Sequence, residues 1–121
     1  MPENKRSKPF DLEDRTLRFA NLVRDFAKEY PKNSVFWDDV RQLIRSSGSV
    51  GANYIEANDS LSKKDFAMRI KICKKEAKES RSWLNLLERQ NESVEEERAK
   101  LEQEAAELTF IFAAIPRKSE S

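Results

Sequence analysis

Histidine is absent from this sequence. Without it the chain cannot assemble a serine or cysteine triad of the usual kind, nor the Glu-x-x-His ligands of a di-iron bundle. Glycine occurs only twice and proline four times in 121 residues, while Ala, Leu, Glu, Lys and Arg abound. That balance disfavours strands and a glycine-rich phosphate loop, and biases the backbone towards long helices with few turns. One cysteine, Cys73, rules out an internal disulfide, fits a reducing compartment and lacks the CxxC partner that zinc or thiol chemistry would need; it reads as a small core residue. No apolar run approaches the roughly 20 residues a bilayer requires, and the first residues are polar, so neither a membrane span nor an export signal is visible. A cytoplasmic protein is expected, with no cofactor, no metal and no catalytic site, its scattered Asp and Glu serving as solvated helix faces.

What the sequence does contain is four amphipathic patterns, enough for one domain. Asp11 is placed to cap a first helix that ends by Pro31, with Leu12, Thr16, Phe19, Val23, Phe26 and Tyr30 on one stripe. A second pattern covers residues 34–57, with Asp38 and Asp39 near its positive end. It carries two apolar stripes, one through Phe36, Val40, Leu43, Val50 and Tyr54, the other through Trp37, Ile44, Gly48, Gly51 and Ile55. A break at Gly48 is the alternative, because the Ser46 to Ser49 run is a poor helix former alone. The third pattern starts at Ser62 and reaches about Arg89, with a four-three seam from Phe66 through Ile70, Cys73, Ala77, Ser80 and Leu84 to Leu87. A Ser93 and Glu96 capping box opens the fourth, whose seam of Val94, Leu101, Ala105, Leu108, Phe112 and Ile115, interrupted by Arg98, runs up to a stop at Pro116. Short connections then dictate an all-α, antiparallel up-down-up-down four-helix bundle over residues 11–116, with flexible tails at 1–10 and 117–121.

The 23 basic residues nearly cancel 22 acidic ones, so any electrostatic function must come from local segregation. Such segregation exists. Residues 63–81 hold Lys63, Lys64, Arg69, Lys71, Lys74, Lys75, Lys78 and Arg81 against three acids, a surplus of five positive charges, whereas residues 88–107 hold eight acids against three bases. Lys64, Lys71, Lys75 and Lys78 are spaced by seven, four and three, opposite the seam, and so form an outward row. That row is a candidate contact for the phosphates of RNA or DNA; the other reading is a solvated face partly paired with the acidic fourth helix. Trp83 and Leu86 lie off the seam of the third helix, and together with the second stripe of the preceding one they leave surplus apolar surface. Homo-oligomerisation would cover it, unless the second helix is simply central to its own bundle.

The segment SSGSVGANYIEAN at residues 46–58, followed by SKKDF at 62–66 and KKEAKESRSWL at 74–84, resembles the four-helix bundle family first described from intervening sequences in 23S rRNA genes. The resemblance spans roughly residues 12–87 and is most specific in the second and third helices. Its Ala-Asn-x-x-Glu element falls on Ala52, Asn53 and Glu56; Ala57 stands where Gly often follows, and Gly51 where Pro is frequent. The resemblance implies a bundle that assembles into a ring-like pentamer and has a tie to nucleic acid. A related bundle, the accessory variability protein of diversity-generating retroelements, is similar in shape, basic on its surface, and works with a reverse transcriptase. Asn53 and Glu56, three apart on one face, are expected to hydrogen-bond across a helix or subunit contact in a structural role.

Two functions remain in competition at this point. One is an oligomeric nucleic-acid-associated protein using Lys63, Lys64, Lys71, Lys74, Lys75, Lys78 and Arg81; the other is a structural adaptor that meets a partner protein through Trp37, Trp83 or the acidic fourth helix.

Overall fold

The computed structural model describes the backbone of residues 11–120 and the side chains of residues 11–115; the expected N-terminal tail, residues 1–10, and residue 121 lie outside that range. Four helices follow one another: α1 (Leu12–Ala27), α2 (Trp37–Asn58), α3 (Lys63–Leu86) and α4 (Glu95–Glu120), the last preceded by a 3-10 turn at Glu92–Val94. No strand occurs among the described residues. Each helix packs on the next in sequence and α1 meets α4 to close the bundle, the α1–α4 seam being the thinnest of the four.

The expected stripes are the core. Thr16, Phe19, Val23, Val40, Leu43, Val50, Ile70, Cys73, Leu84, Leu87, Leu108 and Phe112 are all buried. Each large apolar side chain among them contributes about 1.5–3 kcal/mol on leaving water. Burial pushes the Cys73 thiol up to about 12, so it stays protonated and inert.

Helix boundaries follow local chemistry. The Asp11 carboxylate accepts from Asp14 N at 3.3 Å, and Ser62 Oγ accepts from Asp65 N at 3.0 Å. No break occurs at Gly48, since α2 is continuous and its small-residue centre is held from outside: Ser46 and Ser80 share a hydroxyl hydrogen bond of 2.7 Å between α2 and α3. The start of α4 differs from expectation. Asn91, rather than Ser93, caps the turn, its Oδ1 accepting from Ser93 N at 3.2 Å and Ser93 Oγ at 2.7 Å. The other end differs too, because α4 passes Pro116, where a stop was expected, and continues to Glu120 through residues 117–120, which were expected as tail. Proline's fixed φ is helical; what it removes is one backbone donor and some room in the preceding turn, which a helix can survive.

Gly48 and Gly51 play different parts. A Cβ on Gly51 would sit 2.8 Å from Thr16 Oγ1, and that hydroxyl is held by the Leu12 carbonyl at 2.7 Å, so the glycine is what lets α1 and α2 approach. A Cβ on Gly48 would meet nothing within 4 Å.

Arg98, which interrupts the α4 seam, is 4% exposed and ties α4 to the end of α3. It donates to the Leu84 carbonyl at 3.0 Å, to Glu102 at 2.8 Å and, in a forked pair, to Glu95 at 2.8 and 2.9 Å. Glu95 also accepts from the backbone N–H of Arg89 at 2.9 Å, steadying the one non-glycine residue with positive φ among those described, 60°. These donors, Arg98 first and the Arg89 amide second, hold the Glu95 carboxyl at about 2, below its ordinary 4.5.

Three outcomes follow. Replacing Arg98 with Met keeps the stem but removes the charged donor shared by the Leu84 carbonyl, Glu95 and Glu102, at a cost of about 2–3 kcal/mol, seen as a melting temperature lower by roughly 10 °C. Because the Glu95 pKa is depressed on folding, its contribution is complete above the unfolded value and is lost as pH falls from about 4.5 towards 2; chemical denaturation of Glu95→Gln should show a flatter acid limb than the parent. Gly51→Ala should destabilise by on the order of 1 kcal/mol net of helix propensity, whereas Gly48→Ala should stabilise an isolated subunit by up to about 1 kcal/mol.

Candidate nucleic-acid interface

The lysine row of α3 stands where its spacing places it. Lys63, Lys64, Lys71, Lys75, Lys78 and Arg81 are exposed and Lys74 is half-buried. The exposed Met68 falls between Lys64 and Lys71 in the same row.

What decides the electrostatics of this face is where the carboxylates go. On α3 itself, Glu76 is buried and Glu79 half-buried, and both pair with Arg45 of α2, the first at 3.2 Å. Glu79 also accepts from Trp83 Nε1 at 3.1 Å. Burial acts against ionisation of Glu79, but the hydrogen bonds from Trp83 and Arg45 outweigh it and its pKa is lowered. On α4, Glu104 and Glu107 turn the other way and bind Arg15 of α1, at 2.7 and 2.8 Å. Glu95 and Glu102 are engaged by Arg98. Among the described residues no carboxylate lies within ion-pairing distance of Lys63, Lys64, Lys71, Lys74, Lys75 or Lys78, and of the seven candidates only Arg81 reaches α4, at 3.8 Å from Glu102. Pairing of the row with the acidic fourth helix of the same chain therefore reaches Arg81 alone among the described residues.

Arg69, basic but off the row, donates to Asn53 Oδ1 at 3.0 Å, while Asn53 Nδ2 donates to the Ser49 carbonyl at 2.9 Å. Asn53 thus links α2 to α3. Glu56 is exposed beside the α2–α3 turn, on a recess of about 450 Å³ shared with Asp59, Asp65 and Arg69.

Of the apolar candidates, Trp37, Ile44 and Trp83 are half-buried against the core of their own chain, and Gly48 and Gly51 are half-buried on α2. Ile55 and Leu86 remain open, 49% and 56% exposed. Sequence reasoning missed Phe110, which is 81% exposed, although its place two residues from both Leu108 and Phe112 puts it off the α4 seam. It also missed Arg15 and Arg45, for which the chain gives no local signal: their partners lie 89 and 31 residues away. The acid-rimmed, apolar groove of about 280 Å³ between α1 and α4, floored by Leu22, Phe26, Val94 and Leu101, is a further feature of the thin seam.

No helix among the described residues is long and apolar enough to cross a membrane, and no group of three or more potential ligands among them could hold a metal ion.

Comparison with known proteins places this geometry. A crystal structure of a protein of unknown function from the S23 ribosomal protein family of Bacteroides thetaiotaomicron is similar at a TM-score of 0.74 and 30% identity, covering 86% of this chain and 96% of that one. No curated protein matches. Residues 10–114 match the family described as 23S rRNA-intervening sequence protein. With nearly the whole bundle inside that match, the chain belongs to the 23S rRNA-intervening sequence protein family.

Proposed function

We propose that the protein is a non-enzymatic, cytoplasmic, homo-oligomeric bundle that associates with nucleic acid through the basic face of α3. The observation that carries this reading is the unpaired state of the lysine row: Arg45 and Arg98 absorb nearby carboxylates, and Lys71, Lys74, Lys75 and Lys78 keep a net positive face. Uncompensated lysines on a rigid helix release counterions when they meet phosphates, which is the source of salt-dependent affinity.

Self-association has separate support. Ile55 and Leu17 are exposed on α2 and α1, and Gly48 has open space above it that its own chain does not use. Several copies would present several rows, and effective concentration would raise weak binding per row. The family resemblance favours a pentamer as the form of this assembly.

A second reading, a protein-binding adaptor, is favoured by one observation, the exposure of Phe110 within the uncharged stretch of α4 at residues 108–116. Aromatic side chains in the open are frequent anchors of protein partners.

Light scattering combined with oligonucleotide binding at two salt concentrations tests the proposal. The parent should run as an oligomer and lose about tenfold or more in affinity between about 50 and about 200 mM salt. The triple variant Lys71→Glu, Lys75→Glu, Lys78→Glu should keep its mass and lose binding. A monomer at high concentration would remove the assembly; unchanged binding by the triple variant would remove the interface. Phe110→Ser should leave nucleic-acid binding intact while abolishing a protein partner's capture if the adaptor reading holds.

A further inference from the structure

The shape and chemistry of the α3 row narrow the class of nucleic acid, granted that the row is the interface. Three features bear on this. First, the row lies along the outer face of an unbroken helix, a convex surface; at 1.5 Å per residue Lys71 and Lys78 are about 10 Å apart along it. Proteins that hold single strands combine a basic groove, which wraps the backbone, with aromatic platforms on which bases stack. Second, such platforms are wanting near the row. Phe110 is the one fully exposed aromatic residue among those described, and it belongs to α4; on α3 itself, Phe66 and Trp83 are half-buried against the core and the Trp83 indole N–H is committed to Glu79. Third, the groups that read base edges are engaged elsewhere. Arg69 is bound to Asn53, Arg45 to Glu76 and Glu79, and Arg81 to Glu102, leaving lysines, which act as point charges.

The acids sharpen the footprint. Asp65 lies one residue from Lys64 and two from Lys63, and with Glu56 and Asp59 it lines the recess at the α2–α3 turn. Phosphates are repelled at that end. Farther along, Glu76 and Glu79 are held by Arg45, and although Glu79 also feels Lys75, no lysine of the middle of the helix is within ion-pairing distance of a carboxylate among the described residues.

We propose that Lys71, Lys74, Lys75 and Lys78 form a binding site for the phosphate backbone of double-stranded nucleic acid, independent of base sequence and of the sugar. A duplex of either sugar offers a stiff, regular array of phosphates that a helical rod can meet without stacking, and the outer lysines, roughly 10 Å apart along α3, can each reach a phosphate of that array. Arg45 is the positioning residue of this site: it touches no phosphate but pairs with Glu76 and Glu79 and so offsets their charge beside the row.

The test is fluorescence anisotropy on the full chain with four labelled probes of one mixed sequence: a DNA duplex, an RNA duplex, and a single strand of each. At about 50 mM salt both duplexes should bind at least about tenfold more tightly than either strand, and within about threefold of each other and of a scrambled duplex. The slope of log affinity against log salt should be about −3.6 or steeper, four neutralised phosphates per engaged row. Arg45→Gln should weaken duplex binding several-fold with the lysines untouched, and circular dichroism should confirm that its helix content is that of the parent. Single strands bound as tightly as duplexes, or one duplex bound and the other not, would overturn this inference and leave the wider nucleic-acid reading standing. Absence of binding by all four probes at low salt would overturn both.

Discussion

Among the described residues, ion pairing between helices is carried by arginine. Arg15 crosses from α1 to Glu104 and Glu107, Arg45 from α2 to Glu76 and Glu79, and Arg81 from α3 to Glu102, while Arg98 reaches back from α4 to the carbonyl of Leu84. The lysine pairs among the described residues, Lys28 with Asp25 at the end of α1 and Lys100 with Glu96 in α4, are local, at 3.4 and 3.6 Å. A guanidinium presents a planar fork that can take two oxygens at once, so less freedom is lost for each hydrogen bond formed. Apolar seams supply the free energy of folding; the arginines fix how neighbouring seams align, and in doing so they decide which charges remain for the outside. The candidate interface is thus a consequence of how the bundle is stapled.

Much of the architecture could be read without coordinates because helical periodicity is a local property. Phe19, Leu43, Ile70 and Leu108 are buried for the same reason that they recur at three and four. The lysine row was legible on the same grounds. Illegible were the features that depend on contacts between distant residues. No spacing rule shows that Arg45 will meet Glu79, nor that Gly51 will lie against Thr16 while Gly48, three residues earlier, faces open space. Helix ends were blurred where several caps compete: Asn91 wins over Ser93 because it stands at the start of a tight turn that precedes α4. The surplus apolar surface was partly an effect of reading helices singly, since Trp37, Ile44 and Trp83 each find cover against their own core.

Family membership and the candidate interface answer different questions. The match over residues 10–114 and the similarity to a B. thetaiotaomicron protein of unknown function establish the lineage and the fold. Neither names a reaction, and a bundle of this kind is a scaffold on which sites are placed. The functional argument therefore rests on particular side chains: which carboxylates are spoken for, which lysines are not, and which aromatic residue, Phe110, faces outward.

The slender seam between α1 and α4 has a kinetic consequence. With α2 and α3 in extensive contact, and α3 with α4, α1 is the helix with least to lose by leaving, and Arg15 is its main polar tie to α4. Sub-global opening begins where contact density is lowest, so amide protons of α1 should trade with solvent ahead of those in α3. A helix that departs as a unit, on a nine-residue leash between Ala27 and Trp37, can also settle against the vacant flank of another copy, an exchange of helices between copies of the same bundle that leaves every internal surface as before.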